Sequence, residues 1–290
     1  MYPANFDYYR PKNLKEAISL LQKNKEAKIL AGGHSLLPAM KLRVSSPPAL
    51  IDISRVKGLS EIKAGTTAVN IGALSTHAAI AESAEIRNSC PILAEAAAQV
   101  GDRQVRNRGT IGGSLAHADP AADYPTVVMA LQAKITATGP RGEREIEAEK
   151  FFTDLLTTAL APGEVLTSVT VPVLRPGTGG AYLKHRHPAS SYAVVGVAAM
   201  VTLKDEACAS ARLVVGGTTP NPVVVTEAAE VLRGQKPSVE KLSLAAETVA
   251  AAITEPLGDV YASGEYRIHL ATVLSERALV RAVQNARRQD

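Results

Sequence analysis

The chain has 290 residues, 46% of them hydrophobic, and a formal net charge of +4, which excludes a fibrous or globally disordered protein. Its two cysteines, Cys90 and Cys208, are too few for a four-cysteine metal site and do not resemble a secreted disulfide framework. Since no apolar run could cross a bilayer and the N-terminus lacks a signal-peptide pattern, we expect a cytoplasmic protein without a transmembrane segment.

The first 55 residues read as a small α/β unit. Asn13, followed by Glu16, forms a capping box for a helix with Leu14, Ala17, Ile18 and Leu21 on one face. A short strand over residues 28–31 leads into a glycine pair, and a second helical segment ends before Pro47 and Pro48. Another strand over residues 49–53 closes this unit.

Residues 56–175 form a second unit. Strands are predicted at 69–74 and 165–173, with a hairpin over 134–138 and 144–148. Helices are predicted after the caps Thr76 and Asp123, and an alanine-rich helix begins at Pro91. The proline- and glycine-rich segment 172–180 is the predicted boundary to a third unit.

Residues 176–290 form the third predicted unit. Strand-like runs lie at 181–185, 192–203 and 209–215, and helices follow after the caps Thr226 and Ser238 and from about Ser263. The fold class is therefore α+β, with domains at 1–55, 56–175 and 176–290.

Two glycine clusters are candidates for binding a ligand. In the first, a strand runs into Gly32 and Gly33, followed by His34 and Ser35, so backbone N–H groups can approach a phosphate closely. The second cluster, residues 108–114, contains three glycines with hydroxyl residues beside them. Each cluster taken alone also fits a tight turn. Two such loops together fit a large diphosphate ligand gripped from both sides.

Other nucleotide-binding patterns are missing from the sequence. There is neither a G-x-x-x-x-G-K-[ST] segment nor a G-x-G-x-x-G segment after a strand, which argues against a P-loop or Rossmann site. The basic cluster of Arg103, Arg106 and Arg108 lacks interleaved aromatic residues. We therefore predict an anion or an acidic partner for it and no nucleic acid.

The two loops, in this order, resemble the FAD-binding medium subunit of molybdenum hydroxylases, and carbon monoxide dehydrogenase-type flavoproteins most. The resemblance rests on residues 31–38, 106–113 and 118–123, supported by residues 6–11, 163–166 and 191–193, and it spans essentially the whole chain. It implies a vanillyl-alcohol-oxidase-like fold of two subdomains that hold FAD. It also implies a C-terminal domain with a three-stranded antiparallel sheet and helices.

The resemblance further implies an electron-transfer role. In such enzymes a large subunit holds the molybdenum cofactor, a small subunit holds [2Fe–2S] clusters, and non-covalent FAD on the medium subunit passes electrons to a terminal acceptor. We thus expect both partner subunits, in a dimer of heterotrimers. The positions carried over for FAD binding are Leu30, Ala31, Gly32, Gly33, His34, Ser35, Leu36, Gly109, Thr110, Gly112, Gly113, Ser114, Asp123, Leu166, Lys184 and Tyr192.

Roles differ among these positions. The resemblance places the two glycine loops around the FAD pyrophosphate, Asp123 at ribityl or ribose hydroxyls, and Leu166 near the adenine or the ring edge. It places Tyr192 beside the isoalloxazine and Lys184 near it. Ser114 and Ser191 depart from the Asn and the acidic residue that are common in the family, which changes hydrogen bonding around the flavin.

Four alternatives remain open at this point. A Gly-Gly-His-Ser loop carries covalent flavin in some relatives of this fold, which would make His34 an attachment point. The spacing of His185 and His187 places both on one strand face, where they would bind a metal ion only together with a third ligand. The chain could also act as a stand-alone FAD oxidase, or as a scaffold whose glycine loops are only turns.

Overall fold

The computed structural model describes residues 1–288. The N-terminal unit is a three-stranded parallel sheet of order β1-β3-β2 that packs against a helix. The predicted cap is confirmed, because Asn13 Oδ1 accepts from the N–H of Glu16 at 2.9 Å. Its elements are β1 (Asp7–Tyr9), α1 (Leu14–Lys23), β2 (Lys28–Leu30), α2 (Leu36–Lys41) and β3 (Ala49–Asp52).

The second unit combines a helical layer with a five-stranded antiparallel sheet of order β4-β5-β10-β6-β7. The predicted hairpin around Gly139 is confirmed, and it pairs through β6 with the closing strand β10. The elements are β4 (Ile62–Ala64), β5 (Ala68–Gly72), α3 (His77–Glu82), α4 (Ala84–Ser89), α5 (Pro91–Gln99), α6 (Arg103–Arg106), α7 (Ile111–His117), α8 (Asp123–Ala130), β6 (Lys134–Gly139), β7 (Gly142–Glu147), α9 (Ala148–Phe151), β8 (Phe152–Asp154), β9 (Thr157–Thr158) and β10 (Val165–Pro172).

The C-terminal unit is an antiparallel sheet covered by a long helix. The predicted three strands are one too few, because Val223 and Val224 pair with β13 as a fourth. The elements are β11 (Thr178–Arg186), β12 (Ala193–Lys204), β13 (Ala207–Gly216), β14 (Val223–Val224), α10 (Thr226–Leu232), α11 (Val239–Glu247), α12 (Val249–Ala252) and α13 (Gly264–Arg287). No helix within residues 1–288 has both the length and the hydropathy to span a membrane.

Two predicted helix caps are wrong by one residue. The cap of α10 is Val225, and Thr226 is the first helical residue. The cap of α8 is Ala122, so Asp123 lies inside the first turn. Its side chain makes no capping hydrogen bond because it is turned toward the C-terminal sheet, where it meets Tyr182 and Lys184.

The central strand β12 joins two hydrophobic cores. Its residues alternate between the core of the second unit, which takes Ala198 and Met200, and the core under α13, which takes Val197 and Ala199. A strand buried on both faces reads as a continuous apolar run instead of an alternating one, as this segment does. The C-terminal unit is thereby packed firmly against α5 and α8 of the second unit.

Candidate functional site

A cavity of about 1190 Å³ opens where the three units meet. Its wall contains both glycine segments, the start of α8 and the loop before β12. Of the sixteen residues predicted to bind FAD, all but Lys184 line it. Tertiary structure thus brings together positions that are up to 162 residues apart, from Leu30 to Tyr192. Their contact with FAD remains a prediction.

The first glycine loop presents unpaired backbone N–H groups. Those of Gly32, Gly33, His34 and Ser35 donate to no acceptor within residues 1–288. Gly33 has φ +77°, in the left-handed region that glycine adopts without strain. His34 stays at the exposed rim, with Nδ1 3.1 Å from the carbonyl oxygen of Gly32. Successive free N–H groups of this kind suit an anionic group such as a diphosphate.

The second glycine loop lies directly against the first. A Cβ built on Gly32 would lie only 2.1 Å from the carbonyl oxygen of Arg108 and 2.8 Å from the Cα of Gly109. On the other side, a Cβ on Gly112 would lie 2.5 Å from the Cβ of Ala73. The hydroxyl of Thr110 caps α7 by accepting from the N–H of Gly113 at 3.1 Å. A side chain at Gly32 would separate the two loops, and one at Gly112 would push the second loop away from Ala73.

A buried ion pair supports the cavity behind Asp123. One oxygen of its carboxylate, Oδ1, accepts from Lys184 Nζ at 2.8 Å and from the Tyr182 hydroxyl at 2.7 Å. The pair joins α8 to β11, and only 1% of the Lys184 side chain is exposed. Burial raises the pKa of Asp123, opposed by Lys184, and burial lowers the pKa of Lys184, opposed by Asp123. Lys184 therefore stands behind Asp123, outside the cavity wall.

Tyr192 reaches the cavity from the C-terminal unit. Its loop is held because Lys184 Nζ also donates to the carbonyl oxygen of Ser191 at 2.8 Å, and Ser191 has φ +62°. The side chain is 39% exposed, and burial, with the charge of Asp119, raises the pKa of its hydroxyl, while the hydroxyl of Ser35 lowers it. Tyr192 and the first glycine loop thus approach each other across the cavity.

Several cavity residues were missed by sequence reasoning. His77 lines the wall with only 4% of its surface exposed, and Leu156 and Leu160 add apolar surface beside Leu166. The only sequence signal for His77 is its place directly after the helix cap Thr76. Leu156 lies in the short connection between β8 and β9, which has no sequence pattern that predicts it.

His185, near the end of β11, and His187, just after the strand, lie outside the cavity wall and pack with an aromatic side chain. The rings of His187 and Tyr261 are 4.5 Å apart, and His185 Nε2 lies 3.4 Å from the Tyr261 hydroxyl. Within residues 1–288 no three His, Cys, Asp or Glu side chains are grouped to hold a metal ion. The structure thus supplies no third ligand for this pair.

The cavity fits FAD by its chemistry. A dinucleotide needs a positive or N–H-rich surface for the diphosphate, acceptors for sugar hydroxyls and apolar walls for two ring systems. The free N–H groups of the first glycine loop supply the N–H-rich surface, Asp123 supplies an acceptor, and Leu160, Leu166 and Tyr192 supply apolar walls. Residues of both glycine loops line the same cavity.

Comparison with known proteins gives consistent matches over the whole chain. The model of the FAD binding domain in molybdopterin dehydrogenase matches residues 4–174, and that of the CO dehydrogenase flavoprotein C-terminal domain matches residues 180–282. The carbon monoxide dehydrogenase medium chain of Afipia carboxidovorans is 37% identical, covering 99% of this chain and 100% of its own length.

Two further relatives agree with these matches. The 6-hydroxypseudooxynicotine dehydrogenase complex subunit alpha of Paenarthrobacter nicotinovorans is 38% identical, covering 99% of this chain and 97% of its own. The solved carbon monoxide dehydrogenase from Hydrogenophaga pseudoflava has a chain with TM-score 0.95 and 36% identity, covering 98% of this chain and 99% of that one.

Proposed function

Because this chain belongs to the family of FAD-binding medium subunits of molybdenum hydroxylases, as its paired glycine motifs predict, we propose that it transfers electrons within such a complex. The chain is an FAD-binding oxidoreductase subunit. Its proposed task is to receive electrons from the [2Fe–2S] clusters of a partner and to deliver them to a terminal acceptor. The observation that carries this proposal is the cavity lined by both glycine loops, Asp123 and Tyr192.

The residues of the cavity divide the work of holding the cofactor. FAD, when bound, supplies a carrier that can take up and release electrons one at a time or in pairs. The free N–H groups of residues 32–35 would bind the diphosphate, and the remaining acceptor capacity of Asp123 would bind sugar hydroxyls. Leu166 and Tyr192 would pack on the rings. We infer two subdomains of the vanillyl-alcohol-oxidase type around a non-covalent cofactor.

Partner subunits complete the proposal. Relatives of this chain are named medium chains or subunits of dehydrogenase complexes. We propose a small iron–sulfur subunit and a large subunit with the molybdenum cofactor, assembled as a dimer of heterotrimers in the cytoplasm. The domain boundaries near residues 55 and 175 likewise remain predictions. Affinity purification of the tagged chain from its native source should recover two further subunits and both metal centres.

The flavin itself gives the direct test. The purified chain should show a flavin absorption spectrum with about one FAD per chain, released into the supernatant by acid precipitation. A colourless chain that takes up no added FAD would refute the proposal. Colour that stays with the acid pellet would identify covalent attachment and would contradict the non-covalent arrangement.

The same preparation separates electron transfer from independent oxidation. We expect the isolated chain to be reduced by dithionite and reoxidised by an acceptor, while organic substrates alone leave it oxidised. Turnover of such a substrate by the isolated chain would favour a stand-alone oxidase and would overturn the proposed role. Reduction by the substrate only after partner subunits are added would support it.

A further inference from the structure

A buried histidine stands at the point where the two glycine loops meet. His77, the first residue of α3, lines the cavity while only 4% exposed. Its backbone N–H donates to the carbonyl oxygen of Gly109 at 3.0 Å. A Cβ on Gly109 would lie 2.5 Å from His77 Nε2, so this ring edge lies against the second loop. Gly109 in turn touches Gly32 of the first loop.

The opposite ring edge faces the protein interior. Nδ1 of His77 lies 3.3 Å from the hydroxyl of Tyr124, which is fully buried. That hydroxyl has no other acceptor within residues 1–288. If Nδ1 carried the proton, the phenol hydrogen would be a buried donor without a partner, which is unfavourable. The Tyr124 hydroxyl therefore donates, Nδ1 accepts, and the ring proton belongs on Nε2.

The ring is uncharged at neutral pH. Burial lowers the pKa of His77 to about 4, with the nearby His34 and Arg106 adding to the shift. Nε2 makes no hydrogen bond to any residue within 1–288, although His77 lines the cavity. The Nε2–H group of His77 is thus a donor without a protein partner in the cavity wall, near the free N–H groups of the first glycine loop.

We infer that His77 is a ligand-binding residue that donates a hydrogen bond from Nε2 to the diphosphate of the bound dinucleotide. This inference rests on the proposed function, since the ligand is the cofactor that the glycine loops hold. The diphosphate is the part of the ligand that fits, because Nε2 lies beside Gly109, which touches the first loop with its free N–H groups at residues 32–35. Tyr124 is the positioning residue that holds the tautomer.

Binding measurements on the full chain, freed of flavin, test this role. FAD and ADP carry the diphosphate, while riboflavin does not. A hydrogen bond to a charged group corresponds to about a 10- to 100-fold effect on affinity. H77L should therefore lower the affinities for FAD and ADP by that factor, and its affinity for riboflavin should stay within about twofold of the wild-type value. H77Q, whose amide can present a donor near the position of Nε2, should recover most of the loss. H269L, at an exposed position of α13, is the matched control and should bind as the wild type.

The outcomes distinguish this inference from the proposed function. Wild-type chain that binds neither FAD nor ADP overturns both. If the wild type binds FAD normally but H77L keeps its ADP affinity, the role of His77 is overturned and the proposed function stands. The same holds if H77L and H77Q lose equal affinity, because a packing role would not distinguish a side chain with a donor from one without.

A measurement on the wild type keeps the test independent of variant folding. In 15N-histidine-labelled chain, the His77 resonance is assigned through its contact with the ring of Tyr124, 5.3 Å away between centroids, and should not titrate between pH 5.5 and 8. Its Nε2 should be protonated and should shift on saturation with ADP but not with riboflavin. An Nδ1-protonated ring, or no shift with ADP, overturns the inference.

Discussion

The contact between the two glycine loops makes Gly32→Ala the sharpest perturbation of the site. The added Cβ would lie 2.1 Å from the carbonyl oxygen of Arg108, where ordinary contact begins near 3.4 Å. The position of a Cβ is fixed by the backbone, and the oxygen that it meets belongs to the backbone of Arg108, so no side-chain rotation can relieve the contact. The loops would have to separate by about 1.3 Å.

That displacement sets the expected magnitude. A shift of about 1 Å in a binding constellation can cost about 100-fold in the function it supports. We therefore expect Gly32→Ala to weaken FAD binding by about 100-fold or more, measured by fluorescence titration of the flavin-free chain. The strain of overpacking should also lower the free energy of unfolding by about 1–3 kcal/mol, measured by urea denaturation.

Gly58→Ala is the matched control for this substitution. Gly58 has a positive φ of +83°, and a Cβ there meets nothing within 4 Å. The variant should lose about 1–2 kcal/mol of stability from backbone strain and bind FAD normally. If Gly32→Ala binds FAD as tightly as Gly58→Ala does, the loop contact does not shape the site and this reasoning is refuted.

Three further predictions concern buried groups. Asp123→Asn leaves Lys184 buried without its counter-charge, so we expect a loss of about 3–5 kcal/mol in urea denaturation. His77 has a pKa lowered to about 4, so the unfolded chain binds the extra proton between about pH 6.5 and 4. Stability is lost as pH falls through that window, by about 2 kcal/mol from pH 7 to 5, and this share should vanish in His77→Leu. Burial raises the pKa of Cys90 to about 12 and also raises that of Cys208, so neither should react with a thiol reagent at pH 8 until the chain unfolds.

Each of these predictions has a control or a result that contradicts it. Glu145→Gln removes one partner of an exposed ion pair and should barely change stability, because solvent screens that pair. A loss for Asp123→Asn as small as for Glu145→Gln would show that the buried pair is not stabilising. If stability depends on pH identically in the wild type and in His77→Leu, the prediction for His77 is contradicted. Rapid labelling of Cys90 in the native chain would contradict the prediction for the cysteines.

Local sequence signals predicted much of the secondary structure. The Asn13 cap, the hairpin around Gly139 and the helix cap at Ser238 each depend on a few adjacent residues, and the structure confirms them. The elements that were missed are short, among them the strands β1, β4 and β14 and the helices α6 and α7. Two or three residues carry no periodicity, and such strands exist only through pairing with a partner that is distant in sequence.

The same division applies to the site. By itself the sequence determined the glycine loops and the family, because a close backbone approach restricts certain positions to glycine whatever surrounds them. Only tertiary structure decided that Lys184 stands behind Asp123 and that His77 lies beneath Gly109. Those placements depend on how α3, α8 and β11 pack, and packing between distant segments leaves no local pattern. The two cysteines, which are too few for a four-cysteine metal site, are both buried.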